Sequence, residues 1–139
     1  MRHSHADAEV EAYLRKAERD LATAVRMSEA GLDFADVVCF HAQQCAEKSL
    51  KAVILAHGQI PPRTHDLIVL QRVVQESHGI AAESQLLERF CVGLTDYGVA
   101  PRYPGWEDLV GNVDLAEVVK AAKAVLDRAL AWLNLTESA

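Results

Sequence analysis

The stretch DFADVVCFHAQQCAEKSLKAVILAHG, which runs from Asp33 to Gly58, decides the fold of this chain. Asp33 is a typical N-cap residue, because its carboxylate can accept hydrogen bonds from the first unpaired N–H groups of a helix. Gly58 suits the left-handed residue that follows a helix, and Pro61 and Pro62 cannot continue one. The 24 residues between Asp33 and Gly58 contain no glycine or proline. The stretch therefore predicts one helix of roughly 36 Å.

The two sides of this predicted helix differ in character. At about 100° per residue, a mostly apolar stripe contains Phe34, Val38, Ala42, Cys45, Ser49, Ala52 and Ala56. The opposite side mixes polar residues with two large apolar ones, and it contains Asp36, Gln43, Glu47, Lys51, Phe40 and Ile54. Large apolar side chains on a polar side indicate that this side is covered as well. We therefore expect the central helix of a bundle, whose second face contacts a partner chain through Phe40 and Ile54.

One edge of the helix carries a row of polar and basic side chains at i, i+3, i+7 and i+10, which are His41, Gln44, Lys48 and Lys51. The row can be a solvated boundary stripe in which Glu47 and Lys51 form an i,i+4 ion pair. It can also be a row that faces an anion. The residue types alone favour the solvated stripe, because charged rows are common on helices.

The remaining segments predict further helices and no strand. These helices are a long one from about Ala8 to Ala30, a short one capped by Thr64 or Asp66, one from about Ala82 to Tyr97, and one from about Asp114 to Asn134. The predicted fold class is all-α, an up-and-down antiparallel four-helix bundle with an additional short helix. We expect a single domain over residues 1–139, with residues 1–6 as a disordered tail.

The charge, the apolar runs and the cysteines are those expected of a cytoplasmic protein that does not associate with a membrane. The net charge of −6 argues against broad binding to a nucleic-acid backbone, although it leaves room for one local basic pocket. No apolar run approaches the roughly 20 residues of a membrane helix, and the start MRHSHADAE lacks the apolar core of a signal peptide. The odd number of cysteines, all within predicted helices, indicates buried thiols in a reducing compartment.

Independent catalysis is not indicated by any motif. The sequence contains no glycine-rich phosphate loop, catalytic triad or paired-carboxylate pattern. His41 and Cys45 have the i,i+4 spacing of a helical metal pair, but no further ligands stand near them in the sequence. Cys39 and Cys91 lack the neighbours that would activate a thiol. We expect no catalytic residue, no metal and no cofactor.

Three segments, taken in order, resemble the motifs of one known family. QQCAEKSLKA at residues 43–52 resembles the QQAAEKALKA helix of HEPN domains. THDL at residues 64–67, followed by Leu70, resembles the start of a later helix in these domains. The segment from Tyr97 to Arg102-Tyr103-Pro104 resembles their Y-xxx-ARYP loop. The resemblance extends over nearly the whole chain, from about residue 13 to residue 133.

This resemblance implies a helical HEPN domain that forms a homodimer or a dimer of dimers. It also implies a bacterial or archaeal protein whose partner is a minimal nucleotidyltransferase. HEPN domains as a family are linked to nucleotide binding, and many members are ribonucleases of toxin–antitoxin or antiviral systems. The expected ligand is accordingly a nucleotide or RNA.

One departure from the ribonucleases of the family concerns histidine. Those enzymes carry an arginine followed, after four to six residues, by a histidine, whereas Arg102 is followed by YPGWED and no histidine follows His78. Arg72 and His78 have this spacing, but they span the end of the short helix, which is not the element that carries the motif in those enzymes. We therefore expect a non-catalytic nucleotide- or RNA-binding partner of the nucleotidyltransferase. The alternative is an endoribonuclease toxin with a variant site around Arg102, Tyr103 and His65.

The residues that we expect in a nucleotide- or anion-binding pocket are Lys48, Lys51, His65 and Arg102. Arginine binds phosphate through two parallel N–H groups, and lysine adds a point charge. His65 stands in a Thr-His-Asp turn, where its imidazole can instead connect the loop to the preceding helix. A competing interpretation is that Glu47 and Asp66 neutralise these groups and nothing binds. The expected dimer interface contains Phe40, Ile54, Tyr97, Tyr103 and Trp106, because large aromatic side chains typically anchor interfaces.

Overall fold

The computed structural model describes residues 5–78, Leu94, Pro104 and residues 114–138. Within these ranges the chain forms helices and no strand, which are α1 (His5–Glu29), a 3-10 turn (Leu32–Phe34), α2 (Ala35–Ala56), α3 (Leu67–His78) and α4 (Leu115–Ser138). The all-α prediction is confirmed. The helix predicted from about residue 82 to residue 97, the loop that follows it and Cys91 lie outside the described residues. Among the described helices, none is both long enough and apolar enough to cross a membrane.

The turn between α1 and α2 corrects one prediction. Asp33 does not cap α2, because it lies within the 3-10 turn, and the N-cap position is Phe34 without a side-chain hydrogen bond. Gly31 reverses the chain at φ +91°, and its carbonyl accepts a hydrogen bond from Phe34 N at 3.2 Å. α1 also begins at His5, so that His5 and Ala6, which we expected in a disordered tail, fall within a helix.

The C-terminal end of α2 is formed as the sequence predicts. Gly58 has φ +80°, and its N–H donates to Leu55 O at 3.0 Å. Gln59 N donates to Ile54 O at 3.3 Å, which completes the pair of hydrogen bonds of a Schellman motif. The carbonyl groups of the last turn are thereby satisfied, and the chain leaves α2 in a fixed direction towards the loop that carries His65.

The N-caps of α3 and α4 also follow the prediction. Asp66 Oδ1 accepts hydrogen bonds from Ile68 N at 2.9 Å and from Val69 N at 3.4 Å. At the start of α4, Asp114 Oδ1 accepts one from Ala116 N at 3.0 Å. Each carboxylate satisfies N–H groups that have no partner inside the helix.

α2 is the central helix of the described part of the chain, since it contacts α1, α3 and α4. Several alanines of these helices are fully buried, and they include Ala17, Ala24, Ala42, Ala46, Ala122 and Ala129. Larger side chains fill the rest of the core, which includes Val38, Leu50, Val53, Leu67, Leu70, Val125 and Trp132. The apolar stripe of α2 therefore faces the core as predicted, apart from Phe34, which precedes the helix and is 44% exposed.

The second side of α2 is covered by the chain itself. Gln43 and Ile54 are 0% and 1% exposed, and Glu47 is also buried. The sequence correctly indicated that both sides of the helix are covered, but at these positions the cover needs no partner chain. Ile54 belongs to the hydrophobic core, so it has almost no surface to offer to the interface in which we expected it.

Candidate functional site

Glu47 is the centre of a polar cluster between α2 and the loop before α3. Its Oε1 lies 2.7 Å from His65 Nδ1, and its Oε2 accepts a hydrogen bond from Lys51 Nζ at 3.2 Å. Gln43 Nε2 donates both to Glu47 Oε1 at 3.2 Å and to His65 O at 3.0 Å. The expected tie between His65 and α2 is thereby confirmed, through the imidazole and the backbone carbonyl together.

Asp20 of α1 is the centre of a second cluster on the same edge of α2. Lys48 Nζ donates to Asp20 Oδ2 at 2.6 Å, and His41 Nδ1 lies 2.8 Å from Asp20 Oδ1. Asp20 is buried, whereas Lys48 and His41 are partly exposed. The ring of Phe40 meets the His41 ring edge to face, with centroids 5.3 Å apart. Each carboxylate thus holds one lysine and one histidine.

The hydrogen-bond partners fix the tautomer of both imidazoles. An ionised carboxylate can only accept a hydrogen bond, so Nδ1 of His41 and Nδ1 of His65 must carry the hydrogen. Neither Nε2 atom is hydrogen-bonded to another described residue. The side chain of His65 is 59% exposed, so its Nε2 is accessible to a ligand.

The charges of the two clusters balance when the imidazoles are neutral. Asp20 and Glu47 contribute two negative charges, and Lys48 and Lys51 contribute two positive ones. Such a site attracts an anion only weakly until a positive charge is added. Glu47 pairs with Lys51 and His65, as the competing interpretation expects, whereas Asp66 uses its Oδ1 to cap α3.

The structure brings together some of the predicted site residues. Lys51 and His65 meet at the two oxygens of Glu47, and Lys48 lies one turn earlier on α2 but pairs with Asp20. Arg102 lies outside the described residues, as do the predicted interface residues Tyr97, Tyr103 and Trp106. Phe40 is only partly buried.

Asp20 was not predicted as a site residue, and Glu47 and Gln43 were not predicted as buried members of the site. A signal for Asp20 was present, because it stands three residues after Ala17 and four before Ala24 on the core stripe of α1. An acidic residue on such a stripe needs a buried partner. Which cation serves as the partner depends on how α1 and α2 are aligned, and this alignment is not readable from either helix alone.

The two described cysteines are buried free thiols, as predicted. Burial raises the pKa of the Cys39 thiol from its ordinary 9.0 to about 11, and the nearby negative charge of Asp36 adds to the effect. Burial likewise raises the pKa of Cys45 to about 12, although a hydrogen bond from Ser49 opposes the shift. Both groups are therefore protonated near neutral pH, so neither is a reactive thiolate.

These raised pKa values predict a loss of stability in alkali. Above the ordinary thiol pKa of 9.0 the unfolded chain releases protons that the folded chain still retains, so the free energy of unfolding falls as the pH rises. We expect each thiol to lower the free energy of unfolding by about 1 kcal/mol between about pH 9 and pH 10, because the unfolded thiol is only half ionised at pH 9. Urea unfolding at about pH 9 and pH 10 measures the slope. The double variant Cys39→Ala, Cys45→Ala should lose the thiol contribution to the slope of the free energy of unfolding against pH. An unchanged slope would contradict the raised pKa values of the two thiols.

Comparison with known proteins agrees with the helical fold and the motifs. The family model described as HEPN domain matches residues 10–132, which include the whole of α2, the loop with His65, and α3. No curated protein and no solved structure gives a significant match. Since the family model covers most of the 139 residues, the chain belongs to the HEPN domain family.

Proposed function

We propose that this HEPN-family protein is a non-catalytic partner of a minimal nucleotidyltransferase in a toxin–antitoxin-type system, and that it binds a nucleotide or a short RNA. The proposed binding site consists of Lys48 and Lys51 on one edge of α2 and His65 in the loop that follows, and we propose Arg102, which lies outside the described residues, as a further ligand-binding residue. The observation that carries this proposal is that both lysines and His65 are held along one edge by buried carboxylates. Membership of the HEPN family supports the partnership.

The ordering of these side chains favours binding of a small anion. A free lysine loses side-chain entropy when it binds a phosphate, at a cost of up to about 2 kcal/mol. Lys48 and Lys51 are already held by Asp20 and Glu47, so part of this cost is met in folding. The lysines stand one helical turn apart, a rise of about 5 Å. This short span, together with the net charge of −6, suits a ligand with a few phosphates better than a long duplex.

Calorimetry with a uridine trinucleotide at low salt tests the binding site. We expect binding that weakens as salt is added, because the released counterions carry much of the affinity. Binding should be lost in Lys48→Ala and in Arg102→Ala, provided that circular dichroism shows both variants folded. Lys123→Ala is a matched control, since Lys123 also pairs with a carboxylate, Asp127, but lies on α4. Equal binding by all variants, or none by the wild type, would reject the proposed site.

One observation favours the second candidate function, an endoribonuclease with a variant site around Arg102, Tyr103 and His65. Glu47 fixes the Nδ1–H form of His65, so the exposed Nε2 carries the lone pair with which a general base removes a proton from a ribose 2′-OH. A carboxylate that orients a histidine in this way is typical of general-base sites. The missing histidine after Arg102 argues against this function.

An RNA cleavage assay without metal separates the two functions. We expect no cleavage at a useful rate, because the arginine–histidine pair of the HEPN ribonucleases is incomplete in this chain. Robust cleavage by the wild type that disappears in both Arg102→Ala and His65→Gln would establish the ribonuclease and reject the non-catalytic function. A rate that rises with pH would further identify neutral His65 as the base.

We also propose that the protein associates with itself as a homodimer or a dimer of dimers. The aromatic residues Tyr97, Tyr103 and Trp106 are concentrated in one segment of the sequence, and Phe40 is only partly buried in the single chain. Aromatic side chains of this kind typically anchor interfaces. Light scattering at micromolar concentration should give at least the mass of two chains, and the mass of one chain would reject the proposal.

A further inference from the structure

We propose that the edge of α2 binds its phosphate-bearing ligand together with protons, which are taken up by His41 and His65. This inference rests on the proposed function, because it specifies how that same site becomes attractive to an anion. It adds Asp20 to the site, and it gives His41, a member of the polar and basic row on α2, a role in binding.

The first reason is the fixed direction of the imidazole hydrogen bonds. In both rings Nδ1 donates to a buried carboxylate, at 2.8 Å in His41 and at 2.7 Å in His65. A neutral ring held in this way presents only the lone pair of Nε2 to a ligand. The lone pair repels a phosphate oxygen, which has no hydrogen to donate. Protonation turns Nε2 into a donor and adds a positive charge, while the bond from Nδ1 to the carboxylate is kept.

The second reason is that the lysines are already committed to carboxylates. An anion that drew Lys48 away from Asp20, or Lys51 away from Glu47, would leave a buried carboxylate with one cation fewer. Removing one partner of a buried ion pair is strongly unfavourable. Protonation of the two rings instead changes the charge of the four paired ions and two imidazoles from zero to +2 without breaking a contact. Imidazole is the side chain that makes this change near neutral pH.

The charged groups around the two rings agree with this scheme. Asp20 faces His41 from α1, and Glu47 faces His65 from α2, so that each ring lies against a carboxylate. Lys48 or Lys51 lies on the same carboxylate. A bound anion and a proton on the neighbouring ring attract each other, so each favours the binding of the other.

Two further charged residues lie close to His65 in the sequence of the loop. In the loop, Arg63 and Asp66 stand on either side of His65, and Asp66 is engaged with the N–H groups of α3. Among the described residues, α3 and α4 contribute no charged side chain to either cluster.

Calorimetry in two buffers with different enthalpies of ionisation measures the proton uptake. The probe is a uridine trinucleotide without terminal phosphates, because its diesters and bases keep their charge between about pH 6 and pH 8. At about pH 7 we expect the difference in heat to show more than one proton taken up for each trinucleotide bound. As the pH is lowered, the affinity for the trinucleotide should rise. The rise should be about tenfold per pH unit for each proton that is taken up on binding.

Substitutions identify the groups that take up the protons. His41→Gln and His65→Gln keep an N–H that can donate to the carboxylate but cannot be protonated, and each should lower the uptake by about half. His57→Gln is the matched control, since His57 is also on the α2 side of the loop but its Nδ1 faces the carbonyl of Val53. Uptake in this control should equal that of the wild type.

Binding by the wild type without proton uptake would overturn the inference and leave the proposed function standing. Uptake that persists unchanged in both His41→Gln and His65→Gln would also overturn it, because the protons would then reside elsewhere. Failure of the wild type to bind the trinucleotide anywhere between about pH 6 and pH 8 would reject the inference and the proposed binding site together.

Discussion

Replacing Glu47 with glutamine should lower the free energy of unfolding by about 3 kcal/mol, because it removes the charge at the centre of a buried cluster. The side chain of Glu47 is 6% exposed and that of Lys51 is 13% exposed. Glutamine keeps the shape of the side chain but leaves the Lys51 ammonium without its counter-charge. His65 also loses the carboxylate that fixes its tautomer. Urea unfolding monitored by circular dichroism measures the change.

Two further variants show whether burial is the cause. Asp127→Asn removes the same type of charge from an i,i+4 pair with Lys123, but these side chains are 56% and 61% exposed, so we expect a loss of about 0.5 kcal/mol or less. The double variant Glu47→Gln, Lys51→Met should recover part of the stability, because it removes the unpaired cation. Equal losses in Glu47→Gln and Asp127→Asn would mean that Glu47 is not the centre of a buried ionic cluster.

Truncating the core side chain of Leu50 should lower the free energy of unfolding by about as much as Glu47→Gln does, for a different reason. Leu50 is fully buried at the middle of α2, the helix that contacts α1, α3 and α4. Leu50→Ala loses apolar burial and leaves a cavity that neighbouring helices cannot close, and such substitutions cost about 2–5 kcal/mol. For Leu50→Ala we expect urea unfolding to show a loss of about 3 kcal/mol in the free energy of unfolding.

The control for Leu50→Ala is Ile60→Ala, at a large apolar residue that is almost entirely exposed. This variant should change the free energy of unfolding by no more than about 0.5 kcal/mol. Because Leu50 and Glu47 stand three residues apart on α2, their effects need not add. A Leu50→Ala variant as stable as Ile60→Ala would contradict the central position of α2 in the core.

Local signals were sufficient to predict the helices within the described part of the chain. Gly58 and the carboxylates of Asp66 and Asp114 act within a few residues of their own position, so the ends that they determine could be predicted from the sequence. Asp33 shows the limit of this reasoning. It is a suitable cap by residue type, but a 3-10 turn takes up its position, and α2 begins at Ala35.

The candidate site was harder to predict, because its partners come from different elements. Glu47 and Lys51 could be paired by their spacing within one helix. The contact between Lys48 and Asp20 joins residues 28 positions apart and depends on the relative rotation and shift of α1 and α2. Periodicity identifies the face of each helix but not which residue of the next helix lies opposite. The burial of Gln43 similarly depends on the path of the loop that carries His65.

The most direct test of the central claim, that the edge of α2 binds a phosphate-bearing ligand, is an NMR titration of the isotope-labelled protein with a uridine trinucleotide. We expect the largest shift changes at residues 41–51 of α2 and 64–66 of the loop, and in the imidazole signals of His41 and His65. Largest changes confined to α4, or no change at a ligand concentration that saturates the calorimetric signal, would contradict it.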